Sequence, residues 1–313
     1  MRYTLRQLEV FLAVARAESV SHAGKELAMS QSAVSGALLD LERQFDVALF
    51  DRIGKRLQLS EFGRSVRARA ESVFQEAHTL EGVLANQAGP GRLRVGATLT
   101  IGDYVVVPLL ARFMREEPEA QVTLGVANTE EIARRVENFE IDVGLVEGEL
   151  SHPELEVTPF REDELVVFSA PDHPLARKRT LTDEDLRLAD WILRERGSGT
   201  RQTFDRAMSG ILSELRVTLE LQHTEAIKAA VEAGLGLGCL SRLALRDAFR
   251  RGVLKERPVP ERYFRRRFFF VLHRRKYVSV GMRRFLALCQ AAPRDSGHEK
   301  HERRPGRSRR RPA

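Results

Sequence analysis

Apolar positions recur at helical spacing through the first 45 residues. Leu5, Leu8, Phe11, Leu12 and Ala15 share one helical face. Ser19 and Ser21 offer N-caps to a short helix over about residues 22–28. Met29-Ser30 reads as a turn. The spacing then predicts a third helix over 31–44, with Val34, Leu38, Leu41 and Phe45 on its buried side. Its opposite face carries Gln31, Ser32, Ser35, Gly36, Asp40 and Arg43, so the helix is slim where it begins. Residues 49–60 read as a hairpin that turns at Gly54, with Lys55 and Arg56 at the tip. Residues 61–88 predict one long helix. Within it Val66, Val73 and Leu80 repeat every seven residues, as do Ala70, Ala77 and Leu84. A heptad seam is buried against another helix. That helix belongs either to the same chain or to a second copy, and a symmetric dimer is favoured. Ala88-Gly89-Pro90-Gly91 ends the helix and marks a boundary.

From residue 92 to 290 the pattern alternates strand and helix. Strands are expected at 93–97, 122–126, 142–146, 165–168, 191–193, 217–219 and 268–272. Alternation of this kind predicts parallel sheets covered by helices on both faces, and the length allows two lobes. Ligands of such sheets sit beyond the carboxyl ends of strands, where helix N-termini point. Several strand-to-helix turns there are polar: Thr98 and Thr100, Asn128-Thr129, and Gly197-Ser198-Gly199-Thr200. N-capping accounts for Ser and Thr at such turns equally well. Thr98, Thr100, Asn128, Ser198 and Thr200 are candidate effector contacts, with His223 and Thr224 as weaker ones. No obligatory cation stands in these turns. Arg201 adjoins one of them, and Glu147 and Glu225 would oppose an anion unless paired. The chemistry indicated is small-anion or carboxylate binding, with a small oxyanion or polar metabolite as the expected ligand.

A slender helix that follows a tight turn suits a major groove ~12 Å wide. Ser30, Gln31, Ser32 and Ser35 are therefore candidates for duplex DNA contact, and Arg52, Lys55 and Arg56 candidates for phosphate contact. Charge refines this picture. Residues 18–51 carry a net −4 and residues 52–69 a net +5. Attraction to phosphate must then come from the hairpin and the following helix. One monomer would bind weakly, whereas a dimer joined through Val66, Val73, Leu80, Ala77 and Leu84 doubles the contacts.

The segments Leu5-Arg6-Gln7-Leu8-Glu9-Val10-Phe11, Leu27-Ala28-Met29-Ser30-Gln31-Ser32-Ala33-Val34-Ser35, Leu41-Glu42 and Leu49-Phe50-Asp51-Arg52 resemble those of LysR-type transcriptional regulators. Residues 191–201, Thr224-Glu225-Ala226-Ile227-Lys228 and Cys239-Leu240-Ser241-Arg242 are similar to the YeiE/CysL-like branch. The resemblance extends to about residue 290. It implies an α/β multidomain chain: an all-α winged helix-turn-helix (1–60, with the helix-turn-helix at about 21–42), a dimerisation helix (61–88) and a bilobed effector domain (92–292) of the type 2 periplasmic-binding-protein kind. Lobe I would comprise about 92–162 and 267–292, and lobe II about 163–266. The implied partners are promoter DNA, a small effector, a second copy in a homodimer and further a homotetramer, and RNA polymerase as a candidate, all in the cytoplasm. Gly24, Gly36 and Asp40 depart from the family's usual residues.

Composition narrows the alternatives. The chain has 313 residues and a formal charge of +7, of which +5 belongs to residues 293–313, an Arg-, Pro- and Gly-rich tail expected to be disordered. Apolar runs are too short for a membrane span, and the start lacks an apolar signal core. Two distant cysteines and scattered histidines form no metal framework, and no cofactor is expected. Gly234-Leu235-Gly236-Leu237-Gly238 follows a helix and leads into a strand, the reverse of a dinucleotide loop. A solute-binding transport component and, further off, a metabolic enzyme are the alternatives. The single tryptophan, Trp191, precedes the Gly-Ser-Gly-Thr turn and should report on a ligand there.

Overall fold

The computed structural model describes residues 2–53, 56–84 and 91–292. Lys55 and residues 293–313 lie outside the described residues, as do the side chains of Arg52, Arg56 and Leu84.

The first three helices are α1 (Leu5–Ala17), α2 (Val20–Glu26) and α3 (Gln31–Phe45). Thr4 and Gln7 close a capping box on α1. Ser19, not Ser21, caps α2; Ser21 lies inside the helix, and its hydroxyl donates to Gln31 Oε1 at 3.2 Å. Ser30 caps α3. Val10, Phe11, Val14, Ala23 and Val34 are fully buried at the centre of this unit. The antiparallel hairpin β1 (Phe50–Ile53) and β2 (Arg56–Leu59) pairs Arg52 with Leu57 and Ile53 with Arg56.

Helix α4 (Glu61–Leu84) follows. Val66, Ala70 and Phe74 pack against the core of the first unit. Val73 (43 % exposed) and Leu80 (57 % exposed) are uncovered, and Ala77 is half-buried. The heptad stripe is thus divided: its first turns serve the chain's own core, and its later positions remain open. Another face of α4 docks on the second unit through polar contacts. Arg67 donates to the Asn138 side chain and carbonyl, and the Ser72 hydroxyl donates to the Arg275 carbonyl at 3.0 Å. Glu71 lies 3.4 Å from Arg94, which pairs with Asp142 at 2.8 Å, and Lys276 reaches Asp142 at 3.0 Å.

The remainder is built on nine strands in the order β4-β3-β5-β11-β6-β9-β7-β8, with β10 against β6. The first half comprises β3 (Arg92–Thr98), α5 (Leu99–Ile101), a π-helical stretch (Gly102–Val106), α6 (Val107–Glu116), β4 (Gln121–Ala127), α7 (Thr129–Glu137) and β5 (Val143–Glu147). Strand β6 (Leu155–Ser169) leads across to α8 (Asp183–Leu188), β7 (Asp190–Arg194), α9 (Gly199–Ala207), β8 (Arg216–Leu221), α10 (Thr224–Glu232), β9 (Leu237–Ser241), α11 (Arg242–Arg251) and β10 (Lys255–Glu256). Strand β11 (Arg265–His273) returns, and α12 (Val280–Ala291) closes on the first half against α6.

Strand-helix alternation predicts all-parallel sheets, but the sheet is mixed. β3, β4 and β5 are parallel, as are β7, β8 and β9, whereas β6 and β11 run antiparallel to each other and to their neighbours. The reason is connectivity. These two strands carry the chain out of the first half and back again, so they run in opposite directions. Residues 155–164 of β6 pair with β11, and 165–168 pair with β9. Each half has its own cores, one around Phe113, Phe268, Phe270 and Phe285, another around Trp191, Phe204 and Met208. Among the described residues no helix is long and apolar enough to cross a membrane.

Two glycines of the first unit should respond oppositely to alanine. A Cβ on Gly24 would lie 2.8 Å from the Met29 carbonyl oxygen, whereas Gly36 faces open space on a helix. Gly24→Ala should cost about 1–3 kcal/mol by overpacking, and Gly36→Ala should add about 0.5–1 kcal/mol, both read by urea denaturation.

At the joint with α4, burial pushes the His273 imidazole down to about 4, against the weaker opposing pull of Glu154. Its ring packs 4.1 Å from that of Phe139. The unfolded chain therefore takes up this proton near its ordinary 6.5 while the folded chain does not. Stability from this group is complete above pH 6.5 and declines as pH falls toward 4. A His273→Gln variant should show a flatter dependence of unfolding free energy on pH over that window.

Candidate functional site

The carboxyl ends of β3, β5 and β7 converge where the two halves of the sheet meet. β3 delivers Thr98 and, through α5, Thr100; β5 ends at Glu147; the turn after β7 supplies Ser198, Gly199 and Thr200. All six are buried. A Cβ on Gly199 would fall 1.8 Å from the Glu147 carbonyl oxygen, so only glycine permits this approach of the two halves. The Thr129 hydroxyl donates to that same carbonyl at 2.9 Å and accepts from the Gly199 amide at 3.2 Å.

At the centre lies Arg266, on β11, with its side chain 1 % exposed. Its Nη2 is 2.7 Å from Glu147 Oε2 and its Nε donates to Asp163 Oδ2 at 2.7 Å. Nη1 donates to Thr200 Oγ1 at 2.9 Å, and Nη2 to Thr100 Oγ1 at 3.5 Å. The Thr200 hydroxyl donates in turn to Glu147 Oε1 at 3.2 Å. Burial alone would lower the Arg266 pKa; Glu147 and Asp163 outweigh it and hold the guanidinium above its ordinary value. Further bridges join the halves outside this cluster. Tyr104 donates to Glu225 at 2.8 Å, and Gln202 holds the backbone of Glu149 through both ends of its amide. Cavities of about 530 Å³ beside Thr129, Ser198 and Gln202, and of about 390 Å³ beside Gly148, Asp163 and Arg266, flank it.

The expected effector contacts separate into four groups. Thr100 and Thr200 meet at Arg266. Thr98 and Thr224 are buried with hydroxyls that have no hydrogen-bond partner. Asn128 and Ser198 are engaged as caps, accepting from the amides of Glu131 and Thr200 at 3.0 and 3.2 Å. His223 is exposed and makes no side-chain cap bond to α10. The turns themselves hold no obligatory cation, but the site does: Arg266 comes from a distant strand rather than from a turn. Glu147 is paired with it, and Glu225 with Lys228 at 2.8 Å. In the fold Arg265, Arg266, Arg267 and Phe268 are exposed and buried in turn along β11, and the run of three arginines in the sequence does not mark which of them turns inward.

On the first unit, Ser30, Gln31, Ser32 and Ser35 are exposed together on the face of α3 opposite Val34 and Leu38.

Two family models match this chain. That of the LysR substrate binding domain covers residues 86–294, and that of bacterial regulatory helix-turn-helix proteins of the lysR family covers residues 5–64. The chain belongs to the LysR family of transcriptional regulators. LysR relatives include "Uncharacterized HTH-type transcriptional regulator YeiE" of Escherichia coli K12, 43 % identical over 292 residues (93 % of this chain and 99 % of that protein). CysL of Bacillus subtilis strain 168 is 34 % identical over 241 residues (76 % and 81 %). The regulatory domain of CcmR from Synechocystis PCC6803, solved in complex with 2-PG, is 34 % identical with a TM-score of 0.60 (64 % of this chain and 96 % of that one). LysR membership makes the protein a DNA-binding regulator with an effector-binding domain, and sets aside the transport and enzyme alternatives.

Removing the buried cation should leave two buried carboxylates uncompensated. Arg266→Met is expected to lose about 3–5 kcal/mol in urea denaturation. Arg266→Lys, which keeps the charge but not the fork, should lose less.

Proposed function

We propose that a small oxyanion, bound between two lobes, controls how this regulator engages promoter DNA. The observation that carries this reading is the convergence of Thr100 and Thr200, from opposite halves of the sheet, on one buried arginine. Thr98 and Thr224 add hydroxyls with unused hydrogen-bonding capacity, and Asn128, Ser198 and His223 complete the rim. The 2-PG complex of the CcmR regulatory domain supports a small ligand in this domain by likeness. The chain divides into the winged helix-turn-helix at 1–60, the linker helix at 61–88, the effector domain at 92–292 (lobe I about 92–162 and 267–292, lobe II about 163–266) and the tail at 293–313. It acts in the cytoplasm as a homodimer paired further into a homotetramer, with Val73 and Leu80, alongside Val66, Ala77 and Leu84, on the dimer seam. RNA polymerase is a candidate partner at the promoter. Ser30, Gln31, Ser32 and Ser35 read bases, and Arg52, Lys55 and Arg56 hold phosphates.

Footprinting of the full chain on its own upstream region, with and without a panel of small oxyanions, tests this reading. Protection of two half-sites that shifts with one anion, and no longer shifts in Thr98→Val, is expected; Trp191 fluorescence should follow the same titration. Gln31→Ala or Ser35→Ala should relax base preference, whereas Arg52→Ala or Lys55→Ala should weaken all sequences alike. A monomer that protects no fragment would overturn it.

A further inference from the structure

The two carboxylates on Arg266 are not equivalent. Asp163 belongs to the crossing strand β6, and both its oxygens are engaged: Oδ2 by Arg266 Nε and Oδ1 by the Ser241 hydroxyl at 2.7 Å. Glu147 ends β5 and is followed by Gly148 at φ +90, a backbone turn in the left-handed region. Its carboxylate is held by Arg266 Nη2 and by the Thr200 hydroxyl, both at the buried junction of the two halves. Glu147 therefore occupies the donors an incoming anion needs, and it does so while bridging to a threonine of the other half.

Resting on the reading of the cleft as the effector site, we propose that Glu147 is a built-in competitor that sets the specificity of that site: an oxyanion binds by displacing its carboxylate from Arg266 and Thr200. Exchanging one carboxylate for another on the same donors yields little, because every hydrogen bond that forms replaces an equivalent one that breaks. A ligand succeeds only with further acceptor oxygens, and the unused hydroxyls of Thr98 and Thr224 are the groups available to meet them. The effector class is thus a sulfate- or phosphate-like oxyanion, or a group carrying one, rather than a simple monocarboxylate. Once displaced, Glu147 has the cavity beside Gly148 and Asp163 into which to turn.

Calorimetric titration of the full-length protein with inorganic sulfate and with acetate tests this. The unaltered protein should bind sulfate weakly and acetate not at all. Glu147→Gln should bind sulfate at least about tenfold tighter and begin to bind acetate, since Arg266 then keeps only Asp163. Glu147→Ala should change in the same direction, and Thr200→Val in the opposite one, a contrast that general loss of folding does not produce. If sulfate binds the unaltered protein and is lost in Thr100→Val, yet neither Glu147 variant tightens it, the competitor role falls while the cleft stands. If neither anion binds any of these proteins, the cleft reading falls with it.

Discussion

A buried guanidinium that two strands of opposite direction bring to the meeting point of two half-sheets constrains the rest of this structure. A charge removed from water must be paired or it does not stay. Arg266 answers that demand with Asp163 from β6 and Glu147 from β5, so three strands are tied at one point. The hydroxyls of Thr100 and Thr200 complete its shell from either side. Because the pairing partners come from both sides of the junction, the relative placement of the halves and the ionisation of the cluster are one problem. The glycine at 199 belongs to the same solution, since a side chain there would hold Glu147 away.

A second charged knot has a similar role where α4 meets the sheet. Glu71 contributes from the helix; Arg94, Asp142 and Lys276 contribute from β3, the approach to β5 and the segment after β11. Lone surface pairs contribute little to stability, but these groups are largely buried and mutually coupled, so none can be removed without stranding another. β11 carries Arg266 itself and leads on to Lys276 of this knot, while β3 carries Arg94 and leads through α5 to Thr100 of the Arg266 cluster. Helix α4 is therefore attached to the strands that carry the cleft rather than to a loose linker. Its exposed Val73 and Leu80 lie beyond that attachment, on the length of helix open to a second copy.

The helical unit is legible in the sequence because its signals are local. Apolar spacing locates α1 and α3, small polar residues mark their caps, and the slim exposed face of α3 follows from Gln31, Ser32 and Ser35 alone. The strand-helix alternation and the threonines at strand ends are equally local. What escapes a reading of the sequence is long-range. Sheet direction depends on where β6 and β11 cross, which no window of residues records. Arg266 is one of three arginines before an apolar run until pairing partners more than a hundred residues away are brought to it. Asn128 and Thr129 stand in one turn, and Asn128 is the expected contact; in the fold its side-chain oxygen caps the helix, and the Thr129 hydroxyl makes the contact across the junction. The seam of α4 looks uniform in sequence because heptad spacing does not distinguish a neighbour in the same chain from one in another.

The closed arrangement has an energetic consequence for control. A ligand moves an equilibrium between two arrangements only by its difference in affinity for them. Here the arrangement without ligand is already bridged, by Thr200 to Glu147, by Thr129 to Gly199 and by Tyr104 to Glu225. A ligand that simply added contacts to this state would reinforce it and leave α4 where it stands. One that enters through the Arg266 donors must break the bridge between Thr200 and Glu147 before it gains anything. Those losses fall on β5 and on the start of α9, and β5 follows directly from Asp142, the carboxylate held by Arg94 and Lys276. The route from cleft to helix is therefore one strand long, and the change it carries is the release of a carboxylate rather than the closing of an open cleft.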